Sequence, residues 1–155
     1  MKLYLMRHGE ALHPAVDQAM RLSPRGRRDT AKMGEWFKRE GVLIDAIWHS
    51  PKARAMETAQ CLAGILGLDP AVLPSQKELV PEGDIECTKD RINKAETSAH
   101  YQGLLIVSHL PFLPQLTASL IGDAGRTDFD TASAACFIFL KGAWTREWFK
   151  EPVRL

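Results

Sequence analysis

Leu3-Tyr4-Leu5-Met6-Arg7-His8-Gly9-Glu10 stands almost at the start of the chain and decides how the rest is read. An unbroken apolar run with no polar alternation marks a strand covered on both faces, as in parallel sheets. The strand is read over residues 2–6. It ends in a cation, an imidazole and a glycine that lets the chain turn away. The pattern recurs at Leu104-Leu105-Ile106-Val107-Ser108-His109, a second buried strand that again ends in a histidine. Between the two, Ala46–His49 reads as a further strand, followed by Ser50-Pro51-Lys52-Ala53-Arg54. Ser50 is the expected N-cap and Pro51 the first helical residue, which puts Arg54 in the first turn of a helix.

Outward from these segments, strands and helices alternate. Residues 26–40 read as a helix with Met33, Trp36 and Phe37 on one face and Gly41 as its stop. The helix after Ser50 runs to about Leu66, turns Met56, Ala59, Leu62, Ala63 and Leu66 inward, and stops at Gly67. Ala71-Val72-Leu73 reads as a short extended piece, residues 77–84 as a loop broken by Pro81 and Gly83, and residues 85–102 as a helix. Pro111 opens a helix carrying Leu113, Leu116, Leu120 and Ile121 inward. Residues 123–130 read as a turn region, and 133–140 and 143–149 as two closing strands joined near Lys141-Gly142. The alternation predicts an α/β fold: a three-layer α/β/α arrangement with a mostly parallel central sheet, forming a single domain over residues 1–155. In open α/β sheets ligands bind beyond the carboxyl ends of the strands, where His8, Ser50 and His109 all fall.

The composition is that of an ordinary globular chain, 45% hydrophobic and 25% charged over 155 residues. A net charge of +1 predicts neither a nucleic-acid nor a membrane partner. Cys61, Cys87 and Cys136 are scattered, with no metal-ligand spacing, which reads as a reduced, cytoplasmic protein without a metal site. Met1-Lys2 leads straight into the first strand and leaves no room for a signal peptide, and no apolar run approaches the roughly 20 residues of a membrane span.

Arginine and histidine at strand ends suit phosphoryl chemistry. A guanidinium is always charged and presents a fork of donors matched to phosphate oxygens. A neutral imidazole offers a lone pair at pH 7. The helix start after Ser50 adds unpaired N–H groups for an anion. No phosphate-cradling glycine loop and no Asp-rich metal cluster is present. The pattern is one for phosphohistidine chemistry without metal or cofactor.

Arg7-His8-Gly9, Ser50-Pro51-Lys52-Ala53-Arg54-Ala55-Met56-Glu57-Thr58-Ala59 and Val107-Ser108-His109 together resemble the three hallmark segments of the histidine phosphatase superfamily, which has a phosphoglycerate mutase-like fold. Arg21-Leu22-Ser23-Pro24-Arg25-Gly26 resembles a further family segment before the first helix. Ser108-His109-Leu110-Pro111 and Glu78-Leu79-Val80-Pro81-Glu82-Gly83-Asp84 are similar to the small phosphohistidine phosphatases of that family. The chain is likewise short, without the large cap insertions of the mutases. The resemblance implies that His8 is the transiently phosphorylated nucleophile, that Arg7 and Arg54 bind the phosphoryl oxygens, and that His109 completes the pocket. It implies a further phosphate contact from Arg21.

The departure from the family lies at the general acid, for which Glu82 is the nearest position in the 78–84 loop. An alkoxide leaving group needs a proton from the enzyme, whereas the imidazole of phosphohistidine can take one from solvent. The expectation is therefore a phosphatase, monomeric, acting on a phosphohistidine-containing protein through an open, shallow pocket. The alternatives are a general small-molecule phosphomonoesterase and a non-catalytic phosphate-binding module. His13, His49 and His100 read as surface or rim residues, the four tryptophans as packing, and Arg25, Arg27 and Arg28 as a solvated face or one meeting an acidic partner protein.

Overall fold

The computed structural model describes residues 1–122 and 128–155. Residues 123–127 of the expected turn region lie outside the described residues. The strands are β1 (Lys2–Arg7), β2 (Ala46–His49), β3 (Gly103–Ser108), β4 (Ala134–Leu140) and β5 (Ala143–Lys150), and the helices are α1 (Pro24–Arg39), α2 (Ala53–Leu66), α3 (Ile85–Thr97) and α4 (Phe112–Ile121). One sheet runs in the order β2-β3-β1-β4-β5. β2, β3 and β1 are parallel, while β4 is antiparallel to β1 and β5 antiparallel to β4, so β4 alone opposes the common direction. The sheet is thus mixed at one edge and parallel where β1 and β3 bring their histidines side by side.

Both faces of the sheet are covered. Tyr4, Met6, Ile47, Leu105 and Val107 point to one side and pack on Met33 and Phe37 of α1 and Ala59, Leu62 and Ala63 of α2. Leu3, Leu5, Leu104 and Ile106 point to the other and pack on Ile92 of α3 and Leu113, Leu116 and Leu120 of α4. Alternate residues of one continuous apolar run therefore enter different cores, which is why β1 and β3 carry no polar alternation. Each fully buried side chain of this size contributes about 1.5–3 kcal/mol.

Several boundaries differ from expectation, each with a local cause. α1 starts at Pro24, because the Ser23 side chain caps the Gly26 N–H at 3.0 Å and Pro24 occupies the first turn. α2 starts at Ala53 with Lys52 as N-cap, not Ser50. The Ser50 N–H still bonds the Val107 carbonyl at 3.1 Å, so residue 50 continues the sheet and the helix cannot begin there. Met56 consequently faces out and is exposed. Pro70–Val72 forms a 3-10 turn capped by Asp69 rather than an extended piece. Extended chain comes just after it, where His49 N–H bonds Pro74 O and Gln76 N–H bonds His49 O. That flank buries His49, which was expected on the surface. α3 ends at Thr97, short of residue 102, and Ala99 takes a left-handed φ of 49° before β3. Among the described residues no helix is long and apolar enough to cross a membrane.

Candidate active site

β1 and β3 are in register with Arg7 opposite Ser108, so His8 and His109 both leave the sheet at the same carboxyl edge. Their ring centroids are 4.8 Å apart. Arg54, in the first turn of α2, reaches the same point: its Nε donates to His8 Nε2 at 3.2 Å. Arg7 holds the far side, with Nη1 donating to the Phe129 carbonyl at 2.9 Å. The cleft has a volume of about 370 Å³ and includes Arg7, His8, Arg54 and His109 in its lining, with Ala11, Met20, Pro81 and Leu110 as a largely apolar collar. His8 is only 7% exposed.

The hydrogen bonds fix the state of His8. Its Nδ1 lies 2.7 Å from the Gly9 carbonyl, which can only accept, so Nδ1 carries the proton. Nε2 is then the basic nitrogen, and it accepts from Arg54. Burial holds the His8 pKa down at about 4; the Gly9 hydrogen bond works the other way, and the charges of Arg54 and Arg7 add to the depression. His109 is pushed to about 3 by burial first, and then by His8, Arg54, Lys52 and Arg7. Both rings are neutral at pH 7. Among the described residues neither ring nitrogen of His109 has a hydrogen-bond partner, nor has Nε of Arg7, although all three are buried. The one N–H of neutral His109 and the Nε–H of Arg7 are unmatched donors beside a positively charged cleft, which suits an oxyanion.

The turn after His8 is anchored from α2. Gly9 N–H donates to Thr58 Oγ1 at 3.0 Å, and that hydroxyl donates to the Arg54 carbonyl at 2.7 Å. Glu57, the residue before Thr58, accepts from Leu22 N–H at 3.0 Å and from Arg27 at 2.9 Å. Behind the turn, a Cβ at Gly9 would come within 2.6 Å of Thr30 Oγ1 and 2.7 Å of the Gly26 carbonyl, and one at Gly26 would collide with the backbone of Glu10. Only glycine permits this approach of the β1 turn to α1.

Two of the expected residues fall outside this cluster. Arg21 is 57% exposed on its side chain and pairs with Asp17 at 3.1 Å. Glu82 is exposed and absent from the cleft lining, although its neighbour Pro81 is there. Glu10 lines the cleft, where Oε1 accepts from Ser23 at 2.7 Å and Oε2 lies 3.6 Å from Arg25. Thr131 also lines it. It arrives because β4 pairs antiparallel with β1, and Ala132 N–H bonds the His8 carbonyl at 3.1 Å. That pairing is invisible in a sequence read as parallel strands. Arg25 and Arg27 are engaged by Glu10, Asp29 and Glu57 rather than presented as a free basic face. A larger cleft of about 550 Å³ lies at the amino ends of β1 and β3, where Tyr4, Trp36 and Trp148 are among its walls.

A buried imidazole with a free lone pair, set between arginines at the carboxyl edge of an α/β sheet, defines a class of phosphoryl-handling folds. The sequence model of the histidine phosphatase superfamily (branch 1) matches residues 3–91. The chain belongs to that superfamily. It is 31% identical over 161 residues to the phosphohistidine phosphatase SixA of Escherichia coli (strain K12), a match covering 100% of this chain and 96% of the relative. It is 30% identical over 145 residues to a SixA homolog of Haemophilus influenzae, covering 87% and 86% of the two. The solved structure of the protein histidine phosphatase SixA complexed with tungstate superposes with a TM-score of 0.87 at 30% identity, covering 99% of each chain. A phosphoserine phosphatase of Entamoeba histolytica shares the fold, with a TM-score of 0.76 at 16% identity over 99% of this chain and 98% of that one.

Proposed function

We propose that this protein is a phosphohistidine phosphatase working through a covalent phospho-His8 intermediate. The observation that carries the reading is the pairing of a neutral His8, with Nε2 turned to Arg54, and a His109 whose ring nitrogens have no protein partner. His8 Nε2 attacks phosphorus, the P–N bond of the substrate breaks, and its imidazole leaves with a proton from solvent. Arg7, Arg54 and His109 hold the equatorial oxygens as charge develops. Water then attacks phosphorus, the P–Nε2 bond breaks, and inorganic phosphate departs.

The leaving group follows from the carboxylates. Among the described residues Glu10 alone brings a carboxylate to the cleft lining, and it accepts from Ser23 with Arg25 close by. A site without a free acid suits a phosphoramidate better than an alcohol ester. The apolar collar suits an imidazole ring entering from the surface of a folded partner, and the relatives named phosphohistidine phosphatases act in the same direction. The reading includes one phosphatase domain over residues 1–155, monomeric, needing no metal or cofactor. The three cysteines are unpaired, which fits a reducing cytoplasm.

The test is phosphate release from a histidine-phosphorylated phosphotransfer protein, run beside a panel of phosphomonoesters, with His8→Ala as control. Release from phosphohistidine that is faster than from any ester, and absent in His8→Ala, is expected. Faster turnover of an ester would move the assignment to a general phosphomonoesterase, with Glu10 as the acid to mutate next.

A further inference from the structure

We propose that Thr58 is a positioning residue for the reaction, setting both the tautomer and the aim of the nucleophile without touching substrate. The proposal rests on His8 being that nucleophile. Thr58 is fully buried and does not line the cleft. Its single hydroxyl makes two bonds of opposite sense, accepting from Gly9 N–H at 3.0 Å and donating to the Arg54 carbonyl at 2.7 Å. A hydroxyl has one proton and two lone pairs, so a threonine or serine can do both, whereas valine or alanine can do neither.

These two bonds close a ring around the reacting atoms. Gly9 is held at its N–H by Thr58, and its carbonyl receives the Nδ1 proton of His8. Arg54 is held at its carbonyl by Thr58, and its Nε points at His8 Nε2. The loop therefore runs from the imidazole through Gly9, Thr58 and Arg54 back to the imidazole. Within it the nucleophile and the guanidinium that must meet the phosphoryl oxygens are referred to one oxygen atom. Removing that atom frees the Gly9 peptide, and with it the carbonyl that keeps the proton on Nδ1. When Nδ1 loses its acceptor and Arg54 loses its anchor to Thr58, nothing fixes the proton on Nδ1, and an Nε2 that carries it has no lone pair for attack. Glycine is the residue least able to hold this conformation unaided, because its φ and ψ are the least restricted. The steric wall behind Gly9, formed by Thr30 and Gly26, blocks retreat in one direction only.

The Ser and Ala variants separate the hydroxyl from the fold, since both lack the methyl group and differ only in the oxygen. Thr58→Ser is expected to keep kcat on the phosphohistidine substrate within about threefold. Thr58→Ala and Thr58→Val should lower it about 10- to 100-fold, the scale of a small misplacement of reacting groups. KM should move less than about threefold, because Arg7, which binds the phosphoryl group, remains in place. Nitrogen-15 ring spectra of His8, taken without substrate, supply a readout that simple destabilisation would not move. A single Nδ1–H tautomer is expected in the wild type and in Thr58→Ser, and a mixture in Thr58→Ala. Equal kcat in the Ser and Ala variants, a change confined to KM, or an unaltered tautomer in Thr58→Ala would each overturn the proposal. Absence of turnover in the wild type would instead sink the phosphatase reading, while the spectra would still decide the role of Thr58. Thr58→Val is dispensable if it does not fold.

Discussion

The two walls of the cleft are built on opposite plans. On the α2 wall the polar groups around His8 are matched within the protein: His8 Nδ1 by Gly9, His8 Nε2 by Arg54, and the Gly9 N–H by Thr58. On the α4 wall His109 follows β3 with the same burial and the same strand-end position, yet neither of its ring nitrogens finds a partner. The contrast separates preparation from reception. One histidine is aligned in advance, and the other is left with unspent hydrogen-bonding capacity that a tetrahedral oxyanion can use. Leaving it unmatched costs stability, about 1–3 kcal/mol for a buried polar group of this kind.

The comparison breaks most visibly at His109. His109→Ala should lower kcat about 100- to 1000-fold, as for loss of one donor to a developing charge, with KM little changed. Steady-state kinetics on the phosphohistidine substrate would measure it, and a loss below about threefold would put His109 outside the reacting site. Next comes the reception itself. Tungstate at about 100 times its Kd should raise the unfolding free energy by about 2.7 kcal/mol, read from thermal or urea unfolding. The gain should vanish in Arg54→Ala.

A smaller effect lies in pH. Both histidines are depressed in the folded state, to about 4 for His8 and about 3 for His109, from an ordinary value of 6.5. The unfolded chain therefore binds more protons between these values, so stability is complete above about pH 6.5 and falls as pH drops towards 4. Urea unfolding at pH 7 and pH 5 should show a wild-type loss that exceeds that of a His8→Phe, His109→Phe double variant by about 3–4 kcal/mol, from two histidines that each contribute about half. The acid limb of kcat/KM should likewise lie well below pH 6.5. The smallest effect is expected where the structure takes residues out of the site. Arg21→Ala and Glu82→Gln should each change kcat less than about twofold and stability by no more than about 0.5 kcal/mol.

What the sequence made legible followed from local rules. A buried strand can end in only one direction relative to a parallel neighbour, so Arg7, His8 and His109 could be brought together from two apolar runs and their last residues. Arg54 could be added because a proline just past a strand signals a nearby helix start, even though the true cap is Lys52 rather than Ser50. The other positions depend on the course of loops and on pairings between segments. Arg21 lies in a loop whose course is set by Asp17, by a left-handed Met20 with φ of 52° and by the bond from Leu22 to Glu57. Thr131 reaches the cleft through the antiparallel pairing of β4 with β1. Glu10 stays at the rim through Ser23, and His49 is buried by residues 74–76. No periodicity reports such pairings.

The loop between Glu10 and Ser23 is pinched shut at its base. Ser23 N–H bonds the Glu10 carbonyl, Leu12 N–H bonds the Arg21 carbonyl, and Ala11 bridges Leu22. Its tip, around Val16, is exposed, while Ala11 and Met20 line the cleft. A segment closed at its root is a natural cassette. Longer or differently charged versions can be grafted between residues 12 and 21 while the root, and the chemistry seated behind it, stays as it is. A library confined to that cassette would alter the cleft lining through Met20 while the backbone bonds of the root stay in place.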